Sequence, residues 1–66
     1  MNQEQFQGKW EQFKGDLKQK WGKFTDNDLK EIEGDFTKFN GKLQEIYGQQ
    51  KQEISDWADN WFKKSY

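Results

Sequence analysis

The feature that most constrains this chain is an internal repeat. Gly8 to Gly22 reads GKWEQFKGDLKQKWG, and Gly34 to Gly48 reads GDFTKFNGKLQEIYG. Gly8, Phe13, Gly15, Leu17 and Gly22 recur as Gly34, Phe39, Gly41, Leu43 and Gly48, while Trp10 becomes Phe36 and Trp21 becomes Tyr47. All 6 glycines of the chain fall in these two ladders, each stepping by seven residues. Self-similarity at a fixed offset signals one structural unit used twice.

Each copy carries the periodicity of a helix. Phe6, Trp10, Phe13, Leu17 and Trp21 form one stripe, and Leu29, Ile32, Phe36, Phe39, Leu43 and Ile46 form another. Both repeat every three or four residues, which places each set on one side of a helix. Ile54, Trp57, Ala58, Trp61 and Phe62 continue the spacing in the last segment. Pro is absent, so no helix is forced to stop by a missing amide. Four helices are predicted, over 3–21, 26–33, 35–47 and 50–64. Gly22 and Gly48 suit left-handed C-caps. Thr25 with Asp28 resembles a capping box. Lys63 and Lys64 sit where cations favour a helix C-terminus. The apolar pattern crosses Gly34 without a break in phase, so 26–47 reads equally as one bent helix or two.

The expected fold is all-α: a small four-helix domain of two packed α-hairpins with approximate internal duplication. With 66 residues and 30% apolar content, 1–66 is one domain with a core near the lower limit of size. Marginal stability follows.

Composition narrows function. Cys and His are both absent, which removes thiolate chemistry, disulfides and the usual proton shuttle near neutral pH. Net charge is −1, giving no global field toward nucleic acid or anionic lipid. No apolar run has the length of a membrane span or signal core, and the cytoplasm is the expected location. The charge is uneven: Asp26, Asp28, Glu31, Glu33 and Asp35 form an acidic collar between two mildly basic arms.

Four groups of residues imitate functional sites. Asp26 and Asp28 imitate the start of a calcium loop, but Glu31 stands at its glycine position and the closing bidentate Glu is missing. Paired carboxylates on a polar face have nothing apolar to raise a pKa. Trp10, Phe13 and Trp21 with Lys14, Lys18 and Lys20 imitate a stacking surface for single strands, yet the aromatics lie on the core stripe. Trp57, Trp61 and Phe62 with Lys63, Lys64 and Tyr66 imitate an interfacial anchor, but Glu53, Asp56 and Asp59 oppose anionic lipid. No catalytic, cofactor-binding or metal-binding residue is therefore assigned. An enzyme and a cofactor are not expected. Partners stay unassigned; a small-molecule substrate is not expected, nucleic acid and membrane are disfavoured, and the chain should be a monomer or weakly self-associating.

The glycines lie roughly 120–160° from the aromatic stripe in both copies. Mid-helix Gly15 and Gly41 each cost about 1 kcal/mol relative to Ala. Two readings account for them. The favoured one is a close helix crossing on a second face; the other is a helix kept weak so that folding responds to conditions.

The segments Trp10 to Gly15, Trp21 to Asp28, Ile32 to Gly34 and Gly41 to Gly48 together resemble the CsbD-like family of small bacterial stress proteins. The resemblance covers residues 8–48, and the C-terminal tail only in its aromatic character. It implies a four-helix domain with internal duplication, induction in general or osmotic stress, and similarity to hydrophilins. It carries over no catalytic or ligand residue. The expected function is thus a non-catalytic, hydrophilin-like protectant, with a small module binding a protein or nucleic acid as the alternative.

Overall fold

The computed structural model describes residues 2–64. Among them lie α1 (Gln3–Gly8), α2 (Trp10–Lys20), α3 (Asp26–Ile32), α4 (Phe36–Tyr47), a 3-10 turn (Gly48–Gln50) and α5 (Lys51–Lys64), with no strand. The first predicted helix is divided at Lys9, whose φ of −107° and ψ of 7° leave the helical well for one residue. The four-helix plan otherwise stands. Residues 26–47 are two helices, not one.

Local chemistry sets the boundaries. Asn2 caps α1, its side chain accepting from the Gln5 amide. Thr25 and Asp28 form the expected capping box at α3, each side chain accepting from the other's backbone N–H. Asp35 caps α4, accepting from the Thr37 and Lys38 amides. Gly48 ends α4 at a φ of +51° but a ψ of −105°, so its φ is positive without the left-handed helical cap expected there. Gly22 does not act as a left-handed cap: α2 ends at Trp21, with a φ of −118°. The left-handed residues between α3 and α4 are Glu33, at φ +42°, and Gly34, at φ +78°.

The stripes meet in one core. Phe6, Trp10, Phe13, Leu17, Phe24, Leu29, Ile32, Phe39, Leu43, Ile54, Ala58 and Phe62 are buried. Trp21, Phe36, Ile46, Tyr47, Trp57 and Trp61 pack half-buried around them. Equivalent residues of the two copies touch each other: Phe13 meets Phe39 at 5.6 Å between ring centroids, and Trp21 meets Tyr47 at 5.9 Å. Two equivalent pairs in contact, eight residues apart along each helix, require α2 and α4 to run side by side in the same direction. Helix α5 returns along α2, with Trp57 against Trp21 and Trp61 against Phe13. Helix α3 returns along α4, with Asp28 at 3.5 Å from Lys42. The chain therefore runs up, down, up, down: two hairpins packed core to core.

Candidate functional site

Three surfaces remain once the core is formed. The first is the glycine face. Close helix crossing is the wrong account of most of it. A Cβ placed on Gly8, Gly15, Gly22, Gly41 or Gly48 would meet no neighbouring atom within 4 Å. Only Gly34 lies against another segment, where a Cβ would stand 3.5 Å from Trp10 Cβ and 3.6 Å from Gln7 Cα. The exposed glycines of α2 and α4 are therefore helix-weakening positions that no packing requires.

The second surface is the seam between α2 and α5. Trp21, Tyr47, Trp57 and Trp61 lie there with their rings half-covered. Trp61 Nε1 donates to Asp16 Oδ2 at 2.7 Å, tying α5 to α2. Tyr47 accepts from the Lys23 amide through its hydroxyl, and the Lys23 ammonium lies 5.4 Å from its ring centroid. Lys20 lies 5.5 Å from the Trp21 ring in the same way. Trp21 Nε1 points inward and has no protein acceptor.

The third is an open groove between α3 and α4 lined by Lys30, Glu31, Glu33, Lys38, Gly41, Lys42 and Glu45. Lys42 is its electrostatic centre. Its ammonium pairs with Glu31 and reaches Asp28 at 3.5 Å and Glu45 at 3.7 Å. Glu31, foremost, raises the Lys42 pKa. The Thr25 backbone N–H, donating to Asp28, holds that carboxyl below its ordinary value, with Thr25 Oγ1 and Lys42 adding to the effect. Asp26 is lowered by its contact with Lys18. Both aspartates are held ionised, the opposite of the shift a general acid requires.

Several residues of the other sequence candidates serve structure. Asp26 and Asp28 serve Lys18 and Thr25, and no group of three or more metal-ligating side chains gathers among the described residues. Trp10 and Phe13 are buried, so their faces are closed to a base. Lys14 pairs with Glu11 at 3.0 Å. Phe62 is buried and Trp57 and Trp61 are half-buried against α2, so α5 turns its apolar side inward; Tyr66 lies outside the described residues. No helix among the described residues is long and apolar enough to cross a membrane.

Sequence reasoning missed three structural residues. Phe24 is 1% exposed although it lies in a connection. Its signal was local: Phe24 precedes the Thr25 cap and Leu29 follows at the fourth helical position, the arrangement of a hydrophobic staple. Gln3 bridges the α3–α4 joint, donating from Nε2 to the Gly34 carbonyl at 2.9 Å and accepting from the Phe36 amide at 2.7 Å. Glu33 takes the left-handed conformation beside it. Nothing in the sequence marks either role.

Both copies of the repeat, the Thr25 capping box and the two glycine ladders lie within one segment that a family model matches. A CsbD-like family model matches residues 4–56. The chain belongs to the CsbD-like family. A UPF0337 protein of Protochlamydia amoebophila is 48% identical over 60 residues, covering 89% of this chain and 91% of the relative. UPF0337 protein YjbJ of Escherichia coli is 48% identical over 61 residues, covering 86% and 88%. A UPF0337 protein of Rhodopseudomonas palustris is 48% identical over 62 residues, covering 94% of each. No solved structure matches.

Proposed function

We propose that this CsbD-like chain is a non-catalytic stress protein of the bacterial cytoplasm, a hydrophilin-like protectant in general or osmotic stress. The observation that carries the reading is the solvent-open glycine face. The core takes most of the apolar residues, the fully exposed positions are mainly Gly, Gln, Asn, Lys, Asp and Glu, and the chain as a whole has a mean hydropathy of −1.46. Such a surface holds water well and offers little for apolar association. Gly15 and Gly41 meanwhile weaken the helices without serving any contact, which suits a chain whose order responds to water activity. Family membership supports the stress setting. The test is protection: purified protein should preserve a labile enzyme through drying or freezing better than an equal mass of an unrelated helical domain. Equal preservation by both rejects the protectant role.

The α2–α5 seam favours a second reading, a binding module. Half-covered Trp21, Tyr47 and Trp57 with Lys20 and Lys23 form the one aromatic and basic strip described above. A nucleic-acid ligand there requires salt-sensitive retention, because phosphate contacts release counterions. Absence of binding at low salt removes that branch.

A further inference from the structure

We propose that the Glu33–Gly34 joint is a swap hinge, and that this chain forms a dimer by opening it and exchanging halves with a second copy of itself. Four observations meet at the joint. The first is conformational: Glu33, a residue with a Cβ, sits at φ +42° and ψ +43°, followed by Gly34 at φ +78°. Side chains disfavour this region, so the closed joint is strained.

The second observation is the sequence across the joint. Leu29, Ile32, Phe36, Phe39, Leu43 and Ile46 keep alternating steps of three and four straight through Gly34. That pattern serves one uninterrupted helix as well as it serves two. Opening the joint would fuse α3 and α4 into a single helix over 26–47, about 33 Å long.

The third observation lies in the other copy. Gly8 and Lys9 are the repeat equivalents of Gly34 and Asp35, and α2 and α4 begin at the equivalent residues Trp10 and Phe36. At Gly8–Lys9 the backbone contains no left-handed residue. Helical hydrogen bonds flank the break, from the Lys9 amide to Gln5 O at 3.0 Å and from the Phe13 amide to Lys9 O at 2.9 Å. The same kind of joint thus exists in this fold without the reversal.

The fourth is the clamp. Gln3 satisfies the Gly34 carbonyl and the Phe36 amide from outside the joint. It holds the reversal closed through contacts that a continuous helix would not need. A second copy is the fitting occupant because the surfaces exposed on opening already match: Phe6 and Phe13 of one half pack on Phe39 and Phe62 of the other. In the dimer each half finds the same partners on the neighbouring chain.

The full chain is tested as three variants beside the parent: Gly34→Ala, Gln3→Ala and Glu33→Gly. Sedimentation equilibrium gives the self-association constant of each. Gly34→Ala disfavours the closed joint and favours helix, so its dimer should be at least tenfold tighter than the parent's. Gln3→Ala removes the clamp and should tighten it by a smaller factor. Glu33→Gly relieves the closed joint and should weaken it. Spin labels at Asn27→Cys and Gln44→Cys, in labelled chains diluted with unlabelled ones, report the joint itself. The closed hairpin holds these positions close together, because Lys42 reaches Asp28. The fused helix separates them by about 25 Å within one chain. If Gly34→Ala does not fold, Gln3→Ala decides by the same two readouts. Monomers in every folded variant, or a dimer that retains the short label distance, overturn the proposal.

Discussion

Gly8 and Gly34 occupy the same place in the repeat and do opposite things. Around Gly8 the chain bends at Lys9, with open space where a Cβ would stand. Around Gly34 it reverses through two left-handed residues and is pressed against Trp10 and Gln7. The residues that follow differ accordingly. Lys9 offers no side-chain cap to α2, whereas Asp35 accepts from two amides of α4. Duplication supplied the helix stripe twice, but the joint had to be solved separately in each copy. One glycine became a requirement and the other stayed merely tolerated.

That contrast can be tested by substitution, the largest effect being at the required glycine. Gly34→Ala should destabilise the monomer by about 1–2 kcal/mol, the cost of a Cβ in left-handed backbone; Gly8→Ala should be neutral or stabilising. Equal losses at both in thermal unfolding would refute the distinction. Asp35→Ala should cost about 1 kcal/mol by denaturant titration, since it removes a helix cap. Lys9→Ala should cost much less. Gly15→Ala and Gly41→Ala should each raise stability by roughly 0.5–1 kcal/mol, because helix interiors favour Ala and nothing obstructs the methyl. A loss at either would restore the crossing that the structure excludes.

The smallest effect is with pH. Asp28 is depressed in the folded chain, so its unfolded form binds protons more readily. Its contribution is fully present above the ordinary carboxylate value of about 3.9 and is lost as pH falls through the lower folded value. Relative to the intrinsic exchange rate, amide protection in α3 should therefore be lost before that in α2 only as pH falls below about 3.9. Simultaneous loss would place the acid-sensitive contacts elsewhere.

Much of the fold was legible because stripe and cap are local properties. Phe13, Leu17, Phe39 and Leu43 announce themselves by spacing, and Thr25 with Asp28 by chemistry. The choice between one helix and two over 26–47 was not legible, because it is made by Gln3, roughly thirty residues away, and by strain at Glu33 that no propensity favours. The glycine face was visible as a pattern, but its meaning was not. Whether another segment lies against Gly15 depends on how the helices pack, and the structure leaves that space empty. Site chemistry could be read mainly by what is missing: the chain has no His or Cys, and several of its charges, Asp28, Asp35 and Lys42 among them, are used in caps and ion pairs.

Phe6 and Phe13 sit where the whole chain converges. Phe13 touches rings from α1, α2, α4 and α5, and Phe6 touches rings from α2, α4 and α5. A cut between the hairpins would strip both rings of more than half their aromatic neighbours, and neither fragment could keep a core of its own. Clearance of this protein should accordingly be all or none. Neither half, once separated, should remain as a folded fragment.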